Sequence, residues 1–277
     1  MARVVEGVPA VPSREARAGD VMLPIAGRRV TLLPERAALL HADEGAGAAG
    51  GATNAGGGAS GGTLLIADVH LGKGETLRAG GALVGRALLA GLIDEPMLRL
   101  RAAAARRRAS RVLVLGDLLH APAGLTDDML ARAAEHFAEL ARAGVRVALV
   151  PGNHDRRVDR VSERWGVEVL GAMVMEGPWR FTHEPCDDEA PPAARRGAAR
   201  DPARDAERDG WFTWCGHLHP AVTLRRGGDA LKLACFAVSP RQGLLPAFSR
   251  FTAGVSLPRV AGTRLFAVAD EQAVVPV

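Results

Sequence analysis

The stretch RVLVLGDLLHAPAGLTDDMLARAAEHFAELARAGVRVALVPGNHD, residues 111–155, decides how the chain is read. It opens on the apolar run RVLVLGD and closes on RVALVPGNHD. Between them Asp127–Ala143 has helical periodicity: Leu130, Ala134, Phe137 and Leu140 share one face, with Asp128, Arg132, Glu135 and Glu139 mostly elsewhere. Strand, helix, strand predicts a βαβ unit. Upstream, GTLLIADVH restarts a strand at Thr63, and a long helical stretch to about Arg108 follows, so the alternation extends by one more unit.

Working outward, RRVTLLPERAALLH (28–41) reads as two short strands around a Pro34-Glu35 turn, and residues 1–24 read as an irregular N-terminal extension. Residues 25–277 are expected to form one domain carrying two flexible insertions. One is the glycine-rich tract 44–62. The other is the mixed-charge segment 187–209, whose Arg195, Arg196 and Arg200 read as solvated. After Trp165 the texture turns to short strands: VEVL, AMVME, PWRFTH, WFTWCGHLH, AVTLRR, ALKLACFAV and TRLFAVA.

Composition bounds the class. In 277 residues, 48% apolar side chains suffice for a core, which argues against whole-chain disorder. The formal charge of +4 suits a polyanion. With Lys73 and Lys232 the only lysines, however, the stronger reading is that the arginine excess is what a GC-rich genome produces, so the charge alone carries little weight. Cys186, Cys215 and Cys235 form no CxxC pair, which points to a reducing compartment, and Cys215 reads as a buried, inert thiol. No apolar run has signal-peptide or membrane-span length, so a cytoplasmic protein without membrane contact is expected.

Five short strings close apolar runs: Asp68-Val69-His70, Gly116-Asp117, Gly152-Asn153-His154-Asp155, Thr182-His183 and Gly216-His217-Leu218-His219. In open α/β sheets ligand-binding groups gather where strands end, so these strings are expected to converge. Their side chains are carboxylate, imidazole and amide, without thiolate. That set suits Mn, Fe, Zn, Co or Ni and argues against a structural zinc site. Seven ligands exceed the need of one tetrahedral ion and suit two ions sharing a carboxylate. Two divalent ions against Asp68, Asp117 and a hydroxide leave net positive charge, which points to a phosphate ester.

The ordered set DxH, GD, GNHD, H and GHxH, spanning Asp68 to His219, resembles the calcineurin-like metallophosphoesterase superfamily. The resemblance implies two mixed β-sheets packed face to face with helices outside. It implies one ion on Asp68, His70 and His219, a second on Asn153, His183 and His217, and Asp117 bridging them. His154 would be general acid or transition-state stabiliser, with Asp155 orienting its other ring nitrogen.

More narrowly, DVHLGKG, GDLLH, HEP, GHLHPAV and LACFAVSPRQGLLPAFSRFTAG are similar to the ligase-associated DNA damage response endonucleases. This implies a Mn-dependent endonuclease, with Zn, Fe, Ni or Co as alternatives, acting on DNA beside a DNA ligase and a helicase or exonuclease of a repair system. The competing readings are a phosphatase or small-diester phosphodiesterase acting on nucleotides or phosphoproteins, and a catalytically silent scaffold.

Lys73, Arg78 and His120 are candidate substrate contacts; solvated charge, or a place at the rim, is the bland alternative. Arg106, Arg107, Arg108 and Arg111 read as charges at a helix end. Trp179, Trp211 and Trp214 read mainly as core, with base stacking the minority reading.

Overall fold

The structure is a computed structural model that describes residues 19–42, 61–186 and 210–277. The expectations for residues 1–18, 43–60 and 187–209, including Arg195, Arg196 and Arg200, lie outside the described residues.

The first sheet has seven strands in sequence order: β1 (Val21–Ile25), β2 (Arg28–Leu33), β3 (Ala37–Leu40), β4 (Thr63–Ile66), β5 (Arg111–Leu115), β6 (Arg146–Val150) and β7 (Val167–Val169). Pairing is antiparallel from β1 to β4 and parallel from β4 to β7. The crossovers contain α1 (Lys73–Ala79), α2 (Arg86–Arg107), α3 (Asp127–Arg142) and α4 (Asp159–Trp165).

Strands β4 to β6 read as unbroken apolar runs because both of their faces are covered. Leu64, Ile66, Val112, Val114, Val147 and Leu149 pack against α2, α3 and α4. Leu65, Ala67, Leu113, Leu115, Ala148 and Val150 face the second sheet.

The second sheet comprises β8 (Met173–Glu176), β9 (Trp179–Thr182), β10 (Phe212–Cys215), β11 (Pro220–Arg226), β12 (Asp229–Val238), β13 (Gln242–Leu244), β14 (Val255–Ser256), β15 (Arg264–Ala269) and β16 (Ala273–Pro276). Its path runs β14-β11-β12-β13-β10-β9-β8, with β15 joining β12 and β16. β9, β10 and β13 are parallel and the hairpin β11–β12 is antiparallel, so this sheet too is mixed. Trp214, Phe181 and Phe236 fill the space between the sheets. The expected α/β architecture of two mixed sheets face to face is present, with α2, α3 and α4 gathered outside the first sheet.

Several local expectations need correction. The long helix before Arg108 is two: α1 stops at Gly80, and Gly81, with φ 94°, turns the chain toward α2. The positive φ of Gly81 lies outside the helical region, so the hydrogen-bonded run of α1 ends there. Strand β1 begins at Val21, inside the segment expected to be irregular, because Leu23 and Ile25 bury against the second sheet. Gly61 and Gly62 belong to the packed fold: Ser110 donates to both carbonyls, through its hydroxyl to Gly61 and its amide to Gly62. Trp179 and Trp214 are core, but Trp211 is 44% exposed. The arginines at the end of α2 are held by acids, Arg106 by Glu35 and Arg107 by Asp20 at 2.6 Å, and Arg111 pairs with Glu176 at 2.7 Å. Among the described residues, no helix is long and apolar enough to cross a membrane.

Candidate metal centre

All five motifs leave the carboxyl ends of parallel strands: Asp68 and His70 after β4, Asp117 after β5, Asn153 and His154 after β6, His183 after β9, and His217 and His219 after β10. Each sheet therefore contributes ligands at one shared edge. Asp68, His70, Asp117, His217 and His219 all have positive φ, between 46° and 68°. Non-glycine residues adopt this left-handed region at a cost, and such residues concentrate at functional sites.

Backbone bonds hold these turns together. The amides of Asp68 and His70 donate to the carbonyls of Gly116 and Asp117 at 3.0 and 2.9 Å. Gly116 lies at φ 80°, and a Cβ there would stand 2.1 Å from His183 Nδ1. At Gly152 a Cβ would meet Asp117 Oδ1 at 2.4 Å. The glycines of the GD and GNHD strings thus give the ligands room to converge.

Among the described residues three donor groups result, each with its ligand atoms within 4.8 Å of one another: Asp68, His70 and His219; Asp117, His183 and His217; and, at the mouth, His70, His120 and His154. In the first, His70 Nε2 lies 3.3 Å from His219 Nε2, and His219 Nε2 lies 3.3 Å from an Asp68 oxygen. In the second, His183 Nε2 stands 3.1 Å from His217 Nδ1, 3.0 Å from Asn153 Oδ1 and 3.4 Å from Asp117 Oδ1. Asp117 Oδ2 also lies 3.9 Å from His70 Nε2, so this carboxylate stands between the groups.

The environment favours bound cations. His183 Nδ1–H donates to the Leu115 carbonyl at 2.9 Å, which leaves Nε2, facing Asn153, Asp117 and His217, as the nitrogen that takes either a proton or an ion. Burial works against a charge on His183, but hydrogen bonding to Asp117 and the Leu115 carbonyl pushes its pKa up to about 9. Positive charge is therefore attracted to this spot. Burial would raise the Asp117 carboxyl, yet the hydrogen bond and charge of His183 and the His154 amide hold it below the usual range. His70 is pushed down to about 3 by burial, against the pull of Asp117 and with help from His219, His120 and His154, so its ring is neutral and can donate a lone pair. Closely set nitrogen and oxygen donors without thiolate fit two borderline divalent ions.

His154 lies at the mouth, its side chain 38% exposed, with Nε2 4.0 Å from Asp117 Oδ2. Its Nδ1–H donates to the His120 backbone carbonyl, and the two rings stack with centroids 5.3 Å apart. Asp155 does not orient that ring. Its carboxylate instead accepts from the Leu119 and Gly152 amides, each at 2.9 Å, and so ties the GD turn to the GNHD turn. Burial raises the Asp155 carboxyl against those amides. His120 joins the cluster, its Nδ1 3.3 Å from His70 Nδ1. Lys73 starts α1, close enough for its charge to bear on His120. Arg78 is elsewhere: it lines a cavity of about 810 Å³ between α1, α2 and α3 with Glu75, Arg86 and Asp128.

The sequence alone did not reveal a clamp behind Asp68. The Phe248 and Ser249 amides donate to the carbonyls of Ala67 and Asp68 at 2.8 and 3.2 Å. Buried Arg99 donates to the Phe248 carbonyl and pairs with Glu271, while Arg36 donates to the carbonyls of Ala247 and Ser249 at 3.3 and 3.1 Å. The PAFS string of the C-terminal stretch was its only trace.

The family model described as calcineurin-like phosphoesterase matches residues 63–233, a span that contains every ligand above. No curated protein matches the sequence. Among solved structures, the chain is similar to nuclease MPE from Pseudomonas putida, at 23% identity and TM-score 0.67, over 93% of this chain and 100% of that one. The phosphoesterase Yfce from E. coli matches at 16% identity and TM-score 0.37, over 78% of this chain and 97% of that one. A Vps29 double mutant from Entamoeba histolytica matches at 15% and 0.30, over 78% and 98%. The first likeness speaks to the fold, and the other two are too slight to bear on it.

Proposed function

The chain belongs to the calcineurin-like phosphoesterase family, and is thereby a metal-dependent hydrolase of phosphoesters; we propose that its substrate is DNA and that it acts as an endonuclease in repair. The observation that carries the reading is the pair of donor groups with Asp117 standing between them and His154 at their mouth, partly open to solvent. Asp68, His70 and His219 would hold one ion, and Asn153, His183 and His217 the other. Divalent ions, with Mn preferred and Zn, Fe, Ni or Co as alternatives, supply Lewis acidity for in-line attack of water on phosphorus.

The chain's own residues then position and protonate. Asp117 keeps the two ligand groups together and accepts the His154 amide at 3.0 Å, which fixes the His154 backbone over the site. With Nδ1 committed to the His120 carbonyl, His154 presents Nε2 to the substrate, placed to deliver a proton to the leaving oxygen. Asp155 holds the loop that carries it.

Three points support DNA. The sequence resembles the ligase-associated endonucleases, the most similar fold among the structures above is that of a nuclease, and the site opens outward at exposed Asn153 and half-exposed His154, leaving room for a polymer. On this reading the partners are DNA, a DNA ligase and a helicase or exonuclease, and the setting is the cytoplasm.

A metal-by-substrate panel tests it. Mn, Zn, Mg, Ni and Co are crossed with a chromogenic diester, a monoester, cyclic nucleotides, linear DNA and covalently closed circular DNA. Nicking of the closed circle is expected. Preference for the monoester or cyclic nucleotides would replace the endonuclease with a phosphatase or small-diester enzyme.

A further inference from the structure

Of the seven phenylalanines, six are buried to 4% exposure or less: Phe137, Phe181, Phe212, Phe236, Phe248 and Phe266. Phe251 alone stands out, 44% exposed. Its loop is nevertheless firmly built. The Phe251 amide donates to Ser249 Oγ at 3.1 Å, and Thr252 Oγ1 donates to the Ser249 carbonyl at 3.0 Å. Ser249 itself donates to the carbonyl of Asp68. Phe251 is two residues on, so its backbone lies within about 7 Å of that anchor along the chain, roughly one nucleotide step.

The neighbour of the ring is a cation. Lys73 Nζ lies 5.7 Å from the Phe251 ring centroid, and the Lys73 amide donates to the carbonyl of the ligand His70 at 3.2 Å. The ammonium thus lies over one face of a ring that is 44% exposed, and the two backbones are tied to different metal ligands. Such a pair matches a nucleotide, whose base has a π-face and whose phosphate is an anion.

We propose that Phe251 is a stacking platform for an unpaired base next to the scissile phosphate, with Lys73 holding the neighbouring phosphate. This rests on the nuclease reading and adds to it the residues that would hold one nucleotide beside the reacting phosphate. Every base offers a π-face, so the platform would be tolerant of sequence.

The test compares a thymidine oligonucleotide with a tetrahydrofuran, base-free chain of the same length, under Mn. Aromatic stacking is worth roughly 5- to 150-fold per base, so the enzyme is expected to favour the thymidine chain by about tenfold or more in kcat/KM. Phe251→Ala should bring that ratio close to one, mainly through KM, and Phe251→Trp should preserve it. Circular dichroism and bound-metal content verify that each variant is folded and loaded. A ratio unchanged in Phe251→Ala would overturn the platform while leaving the nuclease intact. Failure of the parent enzyme to cut either chain while it nicks closed circular DNA would overturn the platform alone; failure on all three, with a monoester still hydrolysed, would overturn the nuclease reading as well.

Discussion

His154 is anchored to His120 twice, by an Nδ1 hydrogen bond to the backbone carbonyl and by ring stacking at 11° between planes. The carbonyl belongs to the main chain, so it survives any substitution at position 120 and continues to fix which ring nitrogen of His154 faces the substrate. Since no ion need rest on His154, its removal separates chemistry from metal capture. His154→Ala should lower diester cleavage by about 10²- to 10⁴-fold, the usual worth of a positioned proton donor, with metal content largely kept. Asp117→Asn should instead weaken both ions, because its oxygens face both donor groups. Turnover assays paired with elemental analysis check both.

Asp155→Asn tests the strap between the two turns. An asparagine keeps one acceptor but places an NH2 against a backbone N–H, in a site only 3% exposed. A loss of about 1–3 kcal/mol in unfolding free energy is expected, measured by denaturant titration. A variant as stable as the parent would show that the two amides are satisfied in another way.

Gly116→Ala should be worse than its size suggests. The added methyl enters the His183 ring from a left-handed backbone position, and neither the backbone nor the ring, itself bonded to Leu115, is free to yield. Loss of the second ion is expected before loss of the fold. Stoichiometric metal titration, with one site retained, is the confirming result.

Much of this was written locally in the sequence. The five ligand strings sit at the ends of runs whose apolar character follows from burial on both faces, so strand, turn and ligand could be read together. The helix break has a local signal as well, in the adjacent glycines Gly80 and Gly81. Other features had no local signature. Asp155 follows a histidine in sequence, yet its oxygens turn to amides, a choice made by the approach of the Leu118–Leu119 segment. Arg78 shares a helix with Lys73 but points to a different cavity, since five helical residues carry the chain well over one turn. The Arg99, Arg36 and Glu271 contacts join residues from opposite ends of the chain, which no spacing rule reaches.

Stability should fall at acid pH through Glu271. Burial would raise its pKa, but the hydrogen bond from Arg250 and the charges of Arg99, Arg250 and Arg36 hold it below the usual 4.5. The unfolded chain therefore takes up a proton first. The stabilisation is complete above about pH 4.5 and drains away as pH falls through the lower folded value. Glu271→Gln should flatten this part of the profile and cost stability at neutral pH, where it leaves buried Arg99 with only the more exposed Glu95 as counterion. Urea midpoints across the acid range provide the readout.

The clamp on Asp68 carries a further consequence for biosynthesis. Chains emerge from the ribosome amino end first, and the βαβ half can take shape while the rest is still being translated. The carbonyls of Ala67 and Asp68, however, accept from the amides of Phe248 and Ser249, and Arg99 adds Glu271 to its neighbour Glu95 as a counterion. A nascent polypeptide accordingly holds an unfinished hydrolytic centre until Phe248, Ser249 and Glu271 have been made, and truncation before Phe248 should release a protein with an unsupported first ligand.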